Sequence, residues 1–338
     1  MQTLQAQIDK AVQLLKDGDV VAFPTETVYG LGARIDSDAA VAKIFSTKQR
    51  PFFDPLIVHV SSVEQAKSCT TNFSPMAAAL AEAFWPGPLT MVLPKSEKIS
   101  DRITSGLPDV GLRFPSHAVA QEIIAKVGVP IAAPSANKFG RTSPTQASHV
   151  KHEFGLAVFI VESQASEIGI ESTVLAVHAK DNQSYQLSIL RKGFITQSQI
   201  EGALKKQKLI YQWVEISKAA SPGNMKHHYM PDMPFIICRN QNMKLSELTQ
   251  ILNDRLPQLP DQIDGVKITK PKGTINKIEF FKLPLDPILA ARDLYALLRA
   301  ASLRSPQALC FIQLPHQTGE MWESIFDRLY KAASLILD

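Results

Sequence analysis

The sequence predicts an α/β protein of two domains joined by a linker. Its 338 residues exceed what one hydrophobic core usually supports. Helical and extended apolar patterns alternate over residues 1–205, with turns rich in proline and glycine between them. Residues 206–234 form a linker rich in proline, glycine and polar groups, and a second alternating pattern occupies 235–338. We therefore expect a first domain with a twisted, mixed sheet and a smaller second α/β domain.

Periodicity along the first domain predicts its elements in order. An amphipathic helix begins the chain and stops at Gly18. Its apolar positions recur at helical spacing and are Leu4, Ile8, Val12 and Leu15. Short apolar runs predict strands over 20–23, 56–60, 89–93, 110–113, 130–132, 157–161, 172–177 and 187–190. Further helical patterns cover 37–47, 75–85, 117–127 and 145–152.

The second domain shows the same alternation on a smaller scale. Apolar runs over 235–238 and 308–312 predict buried strands. Helical patterns cover 246–256, 288–301 and 319–337. About a hundred residues are enough for one compact core.

Composition is that of a soluble globular protein, with 45% hydrophobic and 20% charged residues. No apolar run approaches the ~18 residues that span a bilayer. The charged N-terminal helix does not resemble a signal peptide, so we expect a cytoplasmic protein without membrane contact. Cys69, Cys238 and Cys310 match no CxxC pattern and are expected in the core of a protein from a reducing compartment. A net charge of +4 is too small to indicate nucleic-acid binding by itself.

Several familiar catalytic motifs are missing from the sequence. It contains no GxxxxGK(S/T) phosphate loop, no GxGxxG after a strand, no HExxH helix and no GxSxG turn. His149 and His152 lie at helical spacing but have no evident carboxylate or thiol partner. We therefore predict no protein-held metal site.

Polar residues instead cluster in loops that abut short predicted strands. The run PTETVYGLG over 24–32 places hydroxyls, a carboxylate and glycines after a buried strand, where open α/β sheets bind ligands. The alternative is a tight turn whose threonines bond their own backbone. Lys48 and Arg50 leave the end of a predicted helix. They could complement the helix dipole or clamp a polyphosphate, for which arginine has bidentate geometry.

Other polar residues allow two interpretations each. His59 continues an apolar strand and could be a core histidine or a ligand contact. Arg113 ends a strand, where a cation needs solvent, an internal ion pair or an anionic ligand such as a carboxylate. Ser135 and Asn137 follow a strand in a run of small residues that would admit a ligand to the backbone, and Ser143 precedes Pro144 as a helix start.

Together these loops supply hydroxyls, amides, a histidine and several cations, and they contain no obvious protein nucleophile. Such a set suits a reaction in which the enzyme positions its substrates and neutralises phosphate charge.

The order of motifs resembles the threonylcarbamoyl-AMP synthase family, the YrdC-like proteins. PTETVYGLG, KxRP, PLxVHV, VGLRFP, APSAN, ESTV and LRxG occur in that succession over about residues 20–195. The segment SPGNMKHHYMP resembles the linker of the long form, which carries an extra C-terminal domain. The resemblance implies a twisted mixed sheet with a concave, positively charged face and an open α/β C-terminal domain.

The resemblance also assigns roles to residues. It implies that L-threonine is held by Thr27, His59, Arg113 and Ser172. It implies that ATP is held by Lys48, Arg50, Ser135, Asn137, Ser143 and Arg191, with Lys48 and Arg50 catalytic. Tyr229 falls in the segment that acts as a lid in the long form. The chain departs from the family pattern at Asp54, Asp109 and Asn224, which weakens any assignment of nucleotide contacts there.

The implied activity joins L-threonine, bicarbonate and ATP, with Mg²⁺ accompanying the nucleotide. It gives threonylcarbamoyl-AMP and pyrophosphate, and tRNA threonylcarbamoyl-transfer proteins would act downstream. tRNA is a further candidate partner, for which the sequence gives only a weak signal. The alternatives are a non-catalytic module that grips double-stranded RNA by its phosphates, and a related enzyme that uses a different amino acid.

Overall fold

The computed structural model describes residues 3–52, 54–180, 184–215 and 227–338. These residues form two compact units. The first comprises residues up to 138 and 144–215, and the second comprises 139–143 and 227–338. Within the described ranges no helix is both long and apolar enough to cross a membrane.

The first unit contains a ten-stranded sheet flanked by helices. Its helices are α1 (Leu4–Lys16), α2 (Asp38–Lys48), α3 (Val63–Lys67), α4 (Pro75–Phe84), α5 (Asp101–Thr104), α6 (Ala118–Val127), α7 (Ala147–Phe154) and α8 (Gln197–Leu204). Its strands are β1 (Val21–Phe23), β2 (Gly30–Arg34), β3 (Ile57–His59), β4 (Leu89–Pro94), β5 (Asp109–Arg113), β6 (Ile131–Ala132), β7 (Phe159–Ile160), β8 (Thr173–Ala179), β9 (Ser184–Arg191) and β10 (Ile210–Trp213).

The sheet is mixed, which confirms the predicted fold class. The strand order is β10-β9-β8-β4-β5-β3-β6-β2-β1-β7. Strands β3 and β5 are parallel, as are β4 and β8, whereas β4–β5 and β3–β6 are antiparallel. The central strands are short, so loops that follow them reach over the sheet.

Alternate residues of each strand enter two different cores. Ala22 and Ala132 belong to the larger core, whereas their strand neighbours Phe23 and Ile131 belong to a smaller one. Successive side chains of a strand point to opposite faces, so these cores lie on the two sides of the sheet. Helices α1 and α6 complete the smaller core.

Helix α2 places the first candidate cations. The Ser37 side chain accepts a hydrogen bond from the Ala40 N–H and caps the start of the helix. Gln49 adopts a left-handed conformation with φ of 53° immediately after Lys48 and so ends the helix. The chain therefore turns sharply between Lys48 and Arg50.

The second unit has a four-stranded parallel sheet. Its helices are α9 (Leu245–Arg255), α10 (Pro287–Leu303) and α11 (Glu320–Ala332). Its strands are β11 (Phe235–Cys238), β12 (Gln262–Ile263), β13 (Val266–Lys267), β14 (Ile278–Phe280), β15 (Ala308–Ile312) and β16 (Leu335–Leu337). The sheet order is β14-β15-β11-β16, and all its pairs are parallel, so the open α/β prediction is confirmed.

Residues 139–143 pack with this second unit although they lie in the first half of the sequence. The Thr142 hydroxyl donates to the Tyr229 carbonyl at 3.0 Å, and Arg141 donates to the carbonyls of Pro231 and Lys267. Gly140 has a φ of 71°, and a Cβ there would lie 2.1 Å from a methyl group of Val266. Glycine is required at this close approach.

Several features differ from the sequence predictions, among them helices α3, α5 and α8 and strands β12–β14, which the sequence analysis did not predict. The helix predicted over 319–337 is wrong at its end, because α11 stops at Ala332 and Leu335–Leu337 is a strand paired with β11. Gly30–Arg34 is a strand, although its run was predicted as part of a loop. The predicted linker over 206–234 contains β10, which pairs with β9 of the first unit. Residues 216–226 of that linker lie outside the described residues.

Gly32 tests the close packing of the smaller core. A Cβ at Gly32 would lie 2.6 Å from the Phe23 ring and 2.7 Å from a methyl group of Ile131. Gly32→Ala should lower the free energy of unfolding by about 1–3 kcal/mol, because both neighbours must move. Gly202→Ala is the matched control, because a Cβ on this residue of α8 would enter open space. This variant should raise the free energy of unfolding by about 1 kcal/mol, since alanine favours the helix more than glycine does. Urea denaturation measures both, and equal effects would contradict the packing.

Candidate active site

His59 and Arg113 lie over the central strands on the side opposite the larger core. Val58 and Leu112 enter the larger core, so their neighbours His59 and Arg113 point to the other side. Parallel pairing of β3 and β5 sets His59 beside Arg113 in register. Gly111 adds no side chain to the surface of β5 at this point. A Cβ on this residue would lie 3.2 Å from the Thr90 methyl group.

Arg113 forms a buried ion pair with Glu26. Its Nη2 lies 2.8 Å from the Glu26 Oε1, and both side chains are about 95% buried. Burial acts to raise the pKa of Glu26, but the Arg113 charge and the backbone N–H groups of Glu26 and Ser116 hold that pKa below its usual range. The carboxylate is therefore ionised, and the internal ion pair considered from the sequence exists.

Arg113 retains hydrogen-bonding capacity beyond this contact. Its Nε makes no hydrogen bond within the described residues, and its Nη2 carries two hydrogens, of which the Glu26 contact can occupy one. A buried donor without a partner is unfavourable by about 1–3 kcal/mol, so these groups favour an acceptor such as a ligand carboxylate. The ion pair and the carboxylate contact implied by the resemblance are thus compatible.

His59 is a neutral, buried histidine. Burial and the neighbouring Arg113 charge lower its pKa to about 3. Its Nδ1 is buried and has no hydrogen-bond partner within the described residues. The ring packs edge-on against Phe23, with the two ring centroids 6.5 Å apart. His59 therefore combines a core position with a polar atom left for a small polar ligand.

The loop after β1 is a hydroxyl-stabilised turn. The Thr25 hydroxyl donates to the Val28 carbonyl at 2.6 Å and lies 2.9 Å from the Thr27 hydroxyl. The N–H groups of Thr27 and Val28 donate to the Thr25 hydroxyl oxygen. The tight-turn interpretation holds for Thr25, and the turn fixes Thr27 next to Glu26.

Lys48 contacts the loop that carries Ser135 and Asn137. Its Nζ donates to the Ser135 carbonyl at 2.5 Å and also to the Asn137 carbonyl. Burial and the nearby Arg50 charge lower the pKa of Lys48 well below its usual value. Three residues expected to bind ATP therefore come together, and Lys48 does more than complement the dipole of its helix.

Arg50 is balanced by Asp54, a residue at which the chain departs from the family pattern. The Arg50 Nη2 lies 2.8 Å from the Asp54 Oδ2, and both side chains are buried. Arg50 also donates to the carbonyls of Asp54 and Pro55. Asp54 thus neutralises Arg50 in this arrangement.

Arg191 binds Ser172 directly. Its Nε and Nη2 donate to the Ser172 carbonyl at 3.1 and 3.0 Å, and Nη2 also donates to the Ser172 hydroxyl at 3.1 Å. The Ser172 and Thr90 hydroxyls lie 2.8 Å apart. A residue expected to bind threonine and one expected to bind ATP are therefore in contact.

The structure describes three of the four other residues that the sequence analysis singled out. Ser143 and Tyr229 belong to the second unit and are buried there. Asp109 begins β5, at the opposite end of that strand from Arg113. Asn224 lies outside the described residues. Among the described residues, no group of three or more histidines, cysteines or carboxylates could hold a metal ion.

Two functional partners were missed by sequence reasoning. Glu26 was noticed as a carboxylate in a loop, but its pairing with Arg113 brings together distant segments and leaves no local pattern. Thr90 lies inside the apolar strand β4. A single polar residue within a buried strand was the only signal that could have identified it.

Family models cover both units. The Sua5, YciO and YrdC model, described as "Telomere recombination", matches residues 13–193. A second model, described as "Threonylcarbamoyl-AMP synthase, C-terminal domain", matches residues 195–334. The chain belongs to the Sua5 family. It has the long form, in which the second domain follows the first.

Curated relatives and a solved structure agree with this membership. A threonylcarbamoyl-AMP synthase of Bacillus subtilis is 42% identical over 255 residues, covering 74% of this chain and 72% of the relative. One of Pyrococcus abyssi is 40% identical over 239 residues, covering 70% and 68%. The crystal structure of P. abyssi Sua5 with L-threonine has a TM-score of 0.79 and 31% identity, covering 98% of this chain and 96% of that one.

The buried neutral His59 gives this Sua5 family member a specific pH dependence. Its folded-state pKa, about 3, lies below the ordinary value of 6.5, so only the unfolded chain takes up a proton between these values. The stability contributed by neutral His59 is complete above pH 6.5 and falls as the pH drops toward 3. Between pH 6.5 and 4.5, the free energy of unfolding of the variant His59→Gln should fall less steeply than that of the wild type. The two slopes should differ by about 1 kcal/mol per pH unit.

Denaturation in urea at several pH values measures this slope. The matched control is His152→Gln, because His152 is exposed on α7 and its slope should equal that of the wild type. An unchanged slope in His59→Gln would show that His59 is protonated in the folded protein.

Proposed function

We propose that this chain is an L-threonylcarbamoyladenylate synthase. It would use L-threonine, bicarbonate and ATP and release pyrophosphate. The proposal rests on the observation that two kinds of buried polar group occur beside the same sheet. Arg113 and His59 keep polar atoms for a small amino acid, while Lys48, Arg50 and Arg191 supply charge for phosphates. Family membership and the names of the relatives support the same activity.

The amino-acid half has groups that match each end of L-threonine. The Nε and Nη2 donors of Arg113 suit the α-carboxylate, and the hydroxyls of Thr27 and Ser172 suit further polar contacts. Neutral His59 can hydrogen-bond the substrate without adding charge beside Arg113. That the P. abyssi relative was crystallised with L-threonine supports this choice of amino acid.

The nucleotide half would work by exchange of partners. Lys48 donates to two carbonyls and Arg50 pairs with Asp54, so each cation is held before ATP arrives. Phosphate oxygens would replace the carbonyls that Lys48 and Arg50 contact, since charge-assisted contacts to phosphate are stronger than those to neutral carbonyls, whereas the Asp54 carboxylate would stay with Arg50. Ser135 and Asn137 lie on the loop that Lys48 contacts and would add hydrogen bonds.

The reaction needs no protein nucleophile. The threonine amine adds to CO₂ derived from bicarbonate and gives a carbamate after loss of a proton. A carbamate oxygen then attacks the α-phosphorus of ATP, the bond to the β-phosphate oxygen breaks, and pyrophosphate leaves. Lys48, Arg50 and Arg191 would stabilise the charge that develops on the phosphates.

Mg²⁺ would enter as part of the nucleotide substrate, held by phosphate oxygens and water. Tyr229 would belong to a lid that limits hydrolysis of the carbamate and the mixed anhydride. We propose a cytoplasmic enzyme whose product is passed to proteins that modify tRNA. Non-catalytic RNA binding would need the phosphate-binding cations but no buried carboxylate site, so the Arg113 environment disfavours it.

The pair Lys48→Ala and Arg50→Ala tests the phosphate clamp. The double variant should lose at least about 10²-fold in threonine- and bicarbonate-dependent pyrophosphate release, because removal of even one preorganised contact has that effect. Because removal of Arg50 leaves the buried Asp54 without its counter-charge, circular dichroism must show that the double variant is folded before the loss of activity is assigned to the clamp. The matched control is Lys43→Ala, which removes an exposed lysine on the same helix and should keep full activity.

Product analysis decides the reaction itself. Incubation of wild-type protein with labelled bicarbonate, L-threonine and ATP should give a labelled mixed anhydride with AMP. L-Serine should compete weakly, since it lacks the methyl group. Pyrophosphate release that ignores threonine would contradict the proposed function, and unchanged release in the double variant would contradict the clamp.

A further inference from the structure

We propose that Glu26 is a positioning residue for Arg113. It holds the guanidinium in the orientation that receives the α-carboxylate of the amino-acid substrate. The proposal deepens the proposed function and rests on it. Glu26 itself is not expected to touch either substrate; it acts through the arginine.

The contact is an enclosed one. The Glu26 Oε1 lies 2.8 Å from the Arg113 Nη2, and the exposed fractions of the two side chains are 4% and 5%. Both Glu26 oxygens are buried, and within the described residues no other lysine or arginine forms an ion pair with this carboxylate. Solvent therefore cannot take over the role of either partner.

Glu26 is fixed from its own side of the contact. Its carbonyl accepts a hydrogen bond from the Ile168 N–H at 2.8 Å. The Thr25 hydroxyl donates to the Val28 carbonyl and so stabilises the turn that contains Glu26. The Ser166 hydroxyl donates to the Thr25 carbonyl at 3.0 Å. The turn that carries Glu26 is therefore held by hydrogen bonds on both sides, and its carboxylate has a fixed position next to Arg113.

Arg113 needs such an anion because it is buried. A guanidinium without a counter-charge inside a protein is strongly unfavourable, and it would leave the site or draw in water. With Glu26 on one side, the charge stays in place while the Nε and Nη2 donors keep hydrogen-bonding capacity. The guanidinium is therefore already oriented to receive a carboxylate.

Simple electrostatics gives the opposite expectation for a variant. A negative Glu26 repels an incoming carboxylate, so its neutralisation alone should tighten threonine binding. The positioning role predicts weaker binding, since the freed guanidinium would lose its fixed orientation. The sign of the change therefore separates the two explanations.

The experiment compares Glu26→Gln and Glu26→Asp with the wild type in threonine- and bicarbonate-dependent pyrophosphate release. Glu26→Gln keeps the shape and removes the charge; Glu26→Asp keeps the charge and withdraws it by one methylene group. Each should raise the KM for L-threonine by about tenfold or more and leave the KM for ATP within about twofold. The control is Asp36→Asn, which breaks an exposed ion pair with Arg34 and should change neither constant.

A second measurement identifies the group through which Glu26 acts. The competitor 2,3-dihydroxybutyrate keeps the α-carboxylate and the side-chain hydroxyl of threonine but replaces the amine. If Glu26 acts through Arg113, the inhibition constant of this compound should rise in Glu26→Gln as much as the KM for threonine does. A rise for threonine alone would place Glu26 on the substrate ammonium and overturn the positioning role.

The remaining outcomes also decide the matter. A lower threonine KM in Glu26→Gln would leave repulsion as the dominant effect, and a fully active Glu26→Asp would show that charge matters without position. A parallel loss of ATP affinity or of folded protein would make Glu26 a general structural residue. If the wild type shows no threonine-dependent turnover, the proposed function fails, whereas failure of the Glu26 role requires an active wild type.

Discussion

The burial of cations is the constraint on which the site of the first unit depends. Lys48, Arg50, Arg113 and Arg191 are each at least about 90% buried, and each has a protein partner. The partners differ in kind: carboxylates for two arginines, and carbonyls or a hydroxyl for the others. Because an unpaired charge cannot remain in such surroundings, the loops that carry these partners must fold around the cations. The geometry of the site is thus set before any substrate enters.

Different partners suit different tasks. In the proposed function, a polyphosphate would displace the carbonyls that hold Lys48, because neutral carbonyls are weaker partners of a cation than phosphate oxygens are. The Glu26 carboxylate is a strong partner and stays with Arg113, which then presents its other donors. Arg191 donates hydrogen bonds to Ser172, so under the proposed function this contact would lie between the nucleotide half and the amino-acid half.

The sequence predicted the parts of the structure that follow from local patterns. Helices α2, α4 and α6 and the central strands follow from periodicity, and the polar loops after them marked the candidate site. Pairings between distant segments were beyond it: neither the Glu26–Arg113 contact nor that of Thr90 with Ser172 has a local signature. The strand β16 was missed because its apolar residues follow α11 directly and continue a helical pattern.

The position of residues 139–143 has a consequence for the modularity of the chain. Residues 139–143 follow β6 and precede α7 in the sequence, but they belong to the second unit. There they contact residues such as Tyr229 and Val266. A chain ending at residue 215 would retain the whole ten-stranded sheet. In such a chain Gly140 and Thr142 would lack the residues that they contact in the full protein. The packing of residues 139–143 therefore depends on residues that come about ninety positions or more later in the sequence.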